Sequence, residues 1–414
     1  MHLSLFHEQI REGELTFIDA DGSRHRFGEG EPKATWMIRS PRTMGRILRN
    51  PALNLGETYL DQGWDVADGK LAELITILRS NLERTVLRRS PLSVAAGLLQ
   101  SWNHARASLS NVSHHYDLDE ALFRTFLDRN MHYSCAYHRD RDMSLESAQL
   151  AKCNHVAHKL LLAPGHRVLD IGSGWGSLAL HLAEQNSVSV TGLTLSVEQL
   201  KVATAEAERR GLAGQVEFRL EDYRDHHGRY DRIVSVGMFE HVGRRYFGAY
   251  FERLKNLLHP GGIAVLHTIG ANGRPGKTNP WIRRHVFPGG YIPGLSQIVS
   301  AVDRAGLGIT DVEVLRRHYG LTLKEWNRRF QQRRAELVAS RGERFCRLWE
   351  FYLVVCQTAF ELGRLNVLQL QLVHGASAPI PLTRDYLYTS DDPAPGASPG
   401  SSLYSGSRTR SSGT

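Results

Sequence analysis

Between residues 164 and 270 short apolar runs of strand length alternate with stretches whose apolar positions recur at helical spacing. Val168-Leu169-Asp170-Ile171 is a buried strand, broken by Gly172-Ser173-Gly174-Trp175-Gly176 before Leu178, Ala179, Leu182 and Ala183 resume the helical pattern. Residues 188–193 and 230–236 give two more strands. A helix with Phe247, Phe251, Leu254 and Leu258 on one side ends at Pro260-Gly261-Gly262, and residues 263–269 follow as a further strand. This alternation predicts an α/β fold with a doubly wound sheet.

Outside that region the pattern differs. Residues 1 to about 70 read as a small α+β unit, with a hairpin around Leu15-Thr16-Phe17-Ile18 and Asp21-Gly22 and a basic helix from 42 to 50 stopped by Pro51. Leu71, Ile75, Leu78, Leu82 and Val86 mark the next helix, whose Arg79, Arg84, Arg88 and Arg89 suit either a solvated face or an anionic lipid surface. A polar connection over 108–115 leads to a short helix with Leu118, Leu122 and Phe126 on one side. Phe287-Pro288-Gly289-Gly290-Tyr291-Ile292-Pro293 is an apolar loop apt to line a greasy cleft. Two helices then run from 322 to about 340 and from 344 to about 372, and the serine, glycine and proline tail from about 390 is expected to be disordered. The expected domains are therefore 1–105, 106–388 and a tail, 389–414.

Composition narrows the classes. An excess of 51 Lys and Arg over 43 Asp and Glu gives a net charge of +8, suited to a nucleic acid or an acidic membrane surface. No apolar run is long enough to span a bilayer, and the first residues lack the pattern of a signal peptide, so a cytoplasmic location is expected. The four cysteines, Cys135, Cys153, Cys346 and Cys356, have no paired metal spacing, and no metal is expected.

The glycine turn carries the first candidate chemistry, because glycine accepts positive φ and the helix that follows offers free N–H groups to an anionic ligand. A dinucleotide site would want an acid at the end of the second strand. This chain has Thr194-Leu195-Ser196-Val197-Glu198-Gln199 there instead, and Ser196 with Gln199 also has the spacing of a helix capping box. Ligands bind outside the carboxyl ends of such strands, so Gly172, Glu240 and His267 are expected to converge on one crevice, with His267 and Ile269 on one face of their strand.

Six segments in order, 133–137, 168–176, 193–199, 222–225, 232–241 and 266–270, resemble the cyclopropane-fatty-acyl-phospholipid synthases and the related mycolic acid cyclopropane synthases. The likeness extends from about residue 5 to 375, and the turn departs from the family in having Ser173 where cysteine is usual. It implies a Rossmann-like class I methyltransferase domain behind a smaller amino-terminal α+β domain that docks on lipid. It also implies S-adenosylmethionine held by Tyr133, Ser134, Asp170, Gly172, Gly174, Thr194 and Gln199, with Asp222 and Tyr223 near the adenine. Gln199 then does more than cap a helix. A bicarbonate ion is implied at Cys135, Glu240, His267, Ile269 and Tyr319.

The implied reaction adds a methylene to the cis double bond of an unsaturated phospholipid acyl chain at the membrane surface. The enzyme would be peripheral to the inner face, with a homodimer possible. An alkene is a weak nucleophile and a sulfonium methyl a strong electrophile, so in-line positioning in a dry pocket carries much of the acceleration. Tyr116, Tyr137 and Phe239 are candidates to face the carbocation left on the chain. Alternatives are a lipid C-methyltransferase making methylene or methyl-branched chains, a small-molecule methyltransferase, and a lipid-binding protein retaining the fold. A nucleic-acid methyltransferase lacks support, because neither an Asn-Pro-Pro-Tyr-like motif nor a zinc module is present.

Overall fold

The computed structural model describes residues 2–86, 120–273 and 275–388. Tyr116, Arg88, Arg89, Leu118, the connection over 108–115 and the tail from 390 lie outside the described residues. Up to Ile380 the chain forms one compact unit. The described residues of a second, 381–388, hold a single 3-10 turn, Asp385–Leu387.

Alternating burial builds the first sheet. β1 (Gly13–Ile18), β2 (Arg24–Glu29), β3 (Lys33–Ile38) and β4 (Trp64–Val66) lie in the order β2-β1-β3-β4. The β1–β2 hairpin forms where Asp21-Gly22 places it, with Gly22 at φ +87° donating to the Asp19 carbonyl at 2.9 Å. Leu15, Phe17, Phe27 and Trp36 point inward with Phe6 and Trp64, under the Leu71–Val86 helix, whose Leu71, Ile75 and Leu78 are core.

The second sheet contains β5 (Arg167–Ile171), β6 (Ser189–Thr194), β7 (Val216–Leu220), β8 (Tyr230–Val236) and β9 (Leu258–Ala271). A two-residue ladder pairs β10 (Gly276–Lys277) with β11 (Tyr291–Ile292) beside the apolar loop. β12 (Gly308–Val314) and β13 (Leu365–Val373) complete the large sheet, in the order β12-β13-β9-β8-β5-β6-β7. Strands β5 to β9 pair in parallel, whereas β13 runs antiparallel to both β9 and β12. The chain winds outward from β5 through β6 to β7 and then returns to β8 on its other side. A crevice therefore opens at the carboxyl ends of β5 and β8.

Two sequence expectations are corrected here. The helix expected to reach 372 is Glu343–Glu361, closed by Gly363 at φ +66°, and the following residues are β13. Leu365–Val373 is buried on both faces as an interior strand, so its apolar residues do not alternate cleanly and periodicity cannot tell it from helix. The preceding helix, His318–Arg341, begins four residues before the expected Thr322.

The two sheets share one apolar cluster through the Glu343–Glu361 helix. Phe351 meets the rings of Tyr59 and Trp64 at centroid distances of 5.6 and 6.5 Å. Arg347 lies 4.5 Å over the Tyr59 ring, pairs with Asp65 at 2.8 Å and donates to the Tyr59 carbonyl at 3.1 Å. Gly56 abuts the Trp281 indole so closely that a Cβ would stand 2.4 Å from Nε1.

Candidate active site

The turn after β5 has Gly172, Gly174 and Gly176 at φ +87°, +55° and +85°. Gly172 and Ser173 donate to the Leu193 carbonyl at 3.0 and 2.8 Å, which ties the turn to the end of β6. A Cβ on Gly172 would meet the Met238 Cβ at 2.8 Å, whereas nothing lies within 4 Å of one on Gly174, which borders the open cleft. Ser173 donates from its own hydroxyl to the same Leu193 carbonyl at 3.3 Å.

All nine residues expected around the cofactor line that cleft: Tyr133, Ser134, Asp170, Gly172, Gly174, Thr194, Gln199, Asp222 and Tyr223. Only half of the capping box forms. Ser196 Oγ accepts from the Gln199 N–H at 3.3 Å, while the Gln199 side chain turns away and its Oε1 accepts from the Thr194 hydroxyl at 2.9 Å. Burial pushes the Asp170 carboxyl up to about 7. Asp222 is held by Arg224, whose Nε donates at 2.9 Å.

The expected convergence on one crevice is corrected: Gly172 lines the cleft, whereas Cys135, Glu240, His267, Ile269 and Tyr319 do not. The 3-10 turn Phe239–His241 sends its side chains to different surroundings. Glu240 Oε1 accepts from the Ile269 N–H at 2.6 Å, and its Oε2 is buried with no hydrogen-bond partner among the described residues. The Thr268 hydroxyl donates to the Ile269 carbonyl at 3.3 Å, and the same side chain also favours the Glu240 anion. Burial pushes the Glu240 carboxyl up to about 7, against the Ile269 N–H that favours the anion. Tyr319 is fully desolvated, which holds its phenol protonated. Cys135 is buried, and desolvation likewise keeps its thiol protonated. Burial lowers His267 to about 3, so its ring is neutral. Its Nδ1 accepts from Gln369 Nε2 at 3.0 Å, leaving the proton on Nε2.

The two described aromatics expected near the reacting chain do not line the cleft. Phe239 is fully buried and stacks on Phe247 at 4.4 Å, because its turn directs it into the core while Glu240 faces β9. Tyr137 stacks on His155 at 4.3 Å and faces His318 at 5.0 Å. Sequence reasoning missed Gln369, which it had placed in a helix, as well as Lys152 and His241 in the cleft wall. The Gly-Met-Phe-Glu-His run did bracket His241.

The sheet order, with its single reversed strand β13, and a glycine-turn cleft at the switch point define a class I S-adenosylmethionine-dependent methyltransferase. The chain belongs to the mycolic acid cyclopropane synthetase family, whose model matches residues 103–370, while residues 8–90 match a domain of unknown function. It is 38% identical over 348 residues to the cyclopropane-fatty-acyl-phospholipid synthase of Escherichia coli strain K12, covering 84% of this chain and 89% of that one. A probable fatty acid methyltransferase of Pseudomonas putida is 34% identical over 386 residues, covering 89% and 94%. The crystal structure of the mycolic acid cyclopropane synthase CmaA1 with SAH and CTAB superposes with a TM-score of 0.61 at 32% identity, over 64% of this chain and 97% of that one. Among the described residues no helix is long and apolar enough to cross a membrane, and no His, Cys, Asp and Glu cluster could hold a metal ion.

Proposed function

We propose that this enzyme is a cyclopropane-fatty-acyl-phospholipid synthase, acting on the cis double bond of an unsaturated phospholipid acyl chain with bicarbonate as the base. The observation that carries the reading is Glu240. A buried carboxyl with one oxygen anchored to β9 and the other unpartnered suits a small ligand that donates an O–H. Cys135, His267 and Tyr319 complete a set in which neutral donors accompany one acidic acceptor.

When bound, S-adenosylmethionine supplies an electrophilic methyl and bicarbonate a base for the proton that the new methyl must lose. The chain's own residues do the rest. The glycine turn and Thr194–Gln199 pair fix the nucleoside end, which sets the line of attack. Glu240 would accept the O–H of the anion, and His267 Nε2–H and the Tyr319 hydroxyl would donate to it. Gln369 orients His267 for that bond. The amino-terminal unit, 1–105, is assigned to lipid docking, beside a catalytic part, 106–388. Its basic helix Arg42–Arg49 and the net charge of +8 support peripheral binding to an anionic leaflet.

The resemblance to the probable fatty acid methyltransferase of Pseudomonas putida favours a second reading, C-methylation to a methylene or methyl-branched chain. Both products arise from one carbocation and have equal mass, and they differ in whether a hydride shifts before the proton leaves. A base held ready by Glu240 would favour immediate loss and ring closure. Proton NMR of lipid recovered from unsaturated phospholipid vesicles incubated with enzyme and S-adenosylmethionine decides it. Upfield ring methylene signals are expected, and exomethylene signals alone would reject the synthase reading.

A further inference from the structure

The Leu145–Leu160 helix carries two lysines on its buried side, Lys152 and Lys159, two turns apart. Both are almost fully enclosed, at 1% and 0% exposure. Burying an ammonium is costly unless a counter-charge accompanies it. Lys159 has two, Asp311 at 3.2 Å and Glu313 at 2.7 Å. Among the described residues Lys152 has no carboxylate within 4 Å, and its Nζ bond is a 3.3 Å donation to the Ser134 hydroxyl. Of the two, only Lys152 lines the cofactor cleft.

The acids nearest in influence do not supply the missing charge. Asp128 is committed to His132, accepting from its N–H and its Nδ1, each at 2.8 Å. Asp170 feels the Lys152 charge but makes no ion pair with it, and burial raises its carboxyl to about 7. Gln149 donates to the Ser134 carbonyl at 2.9 Å and so fixes the backbone of the residue whose hydroxyl accepts from Lys152. The other acids of the lining, Glu221 and Asp222, make no ion pair with Lys152, and Asp222 is engaged by Arg224.

We propose that Lys152, with the Ser134 hydroxyl, is the binding site for the α-carboxylate of the cofactor's amino-acid end. This rests on the cleft being the S-adenosylmethionine site. The chemistry it recognises is a monoanionic carboxylate, and the free bicarbonate ion is the other source of that chemistry. A charge-assisted bond of this kind is worth about 10- to 100-fold in affinity.

The test compares two probes on the full-length protein by calorimetry. S-adenosylhomocysteine carries the carboxylate, and 5′-methylthioadenosine keeps the nucleoside and thioether without it. In Lys152→Met the first should bind about 10- to 100-fold more weakly while the second is unchanged. Lys152→Gln provides the same comparison should the methionine variant fail to fold, and Lys152→Arg should recover part of the preference. Equal losses for both probes, or no loss for either, would overturn the assignment. So would an unchanged S-adenosylhomocysteine affinity with a shifted bicarbonate dependence of turnover, which would give the ammonium to the free anion. If the unaltered protein binds neither probe, the cofactor reading of the cleft itself is wrong.

Discussion

The Glu240 carboxyl and the backbone of Ile269 are joined by a 2.6 Å hydrogen bond that fixes one carboxyl oxygen and leaves the other buried and unpartnered among the described residues. The bond ties a turn after β8 to the neighbouring β9, so the orientation of the acid is set by the sheet and not by its own flexible stem. Glu240→Gln preserves the shape and removes the charge. Turnover on unsaturated phospholipid vesicles should fall by about 10²- to 10⁴-fold, with S-adenosylhomocysteine affinity nearly unchanged, and added bicarbonate should restore part of the rate. Parallel losses of binding and turnover would make Glu240 a structural residue.

Two acids with raised values give separable pH dependences. Glu240 must be ionised to accept an O–H bond, so turnover should be lost as pH falls through about 7, and Glu240→Gln should remove that limb. Asp170 lines the cleft, so a pH dependence of S-adenosylhomocysteine affinity near 7 should vanish in Asp170→Asn. The stability sign is opposite. A folded-state value above the ordinary carboxylate range favours the protonated folded protein, a stabilisation complete below about 4.5 and lost as pH rises through about 7. Melting curves between pH 5 and 8 should show a smaller decline in the amide variants.

Gly172→Ala should damage folding and cofactor binding together. An alanine at φ +87° costs about 1–2 kcal/mol, and its methyl 2.8 Å from the Met238 Cβ adds about 1–3 kcal/mol of overpacking. Urea denaturation and S-adenosylhomocysteine titration measure the two effects. Retention of both at the level of the unaltered protein would exclude the close approach seen here.

Arg347 holds the small sheet to the helix that underlies the active site. Its side chain is 7% exposed and engages Asp65, Glu343 and Tyr59 at once. Arg347→Ala removes the charge-assisted bonds to Asp65 and the Tyr59 carbonyl and the packing over the Tyr59 ring, while Asp65 keeps Arg39 and Glu343 keeps Arg334, and it should cost about 1–3 kcal/mol in chemical denaturation. A loss under 1 kcal/mol would show that the two sheets are joined by their apolar contacts alone.

Vesicle binding should depend on charge. Sedimentation with anionic phospholipid vesicles is expected to weaken as salt rises from low to physiological strength and beyond, whereas neutral vesicles bind less and respond little. Equal binding to both at every salt concentration would reject electrostatic docking.

The cofactor cleft was legible in the sequence because its parts are local. A strand, three glycines and a helix start are written within ten residues, and the resemblance to the synthases adds Thr194, Gln199 and Asp222, all of which line the cleft, whereas the carboxyl-end rule for open sheets places Gly172 there correctly but not Glu240 or His267. Gln369 was not legible, because a strand buried on both faces loses the alternation that distinguishes it from helix, and only pairing with His267 across β9 reveals its task. Phe239 and Glu240 are adjacent in sequence, yet a 3-10 turn gives one to the core and the other to β9. Lys152 and Lys159 are alike in sequence, seven residues apart on one helix face. Only the edge strand β12, arriving from more than 150 residues further along the chain, supplies acids to one and leaves the other facing the cleft. Periodicity and turn chemistry are properties of neighbours along the chain. The partner of a buried charge is decided by whatever the fold packs against it.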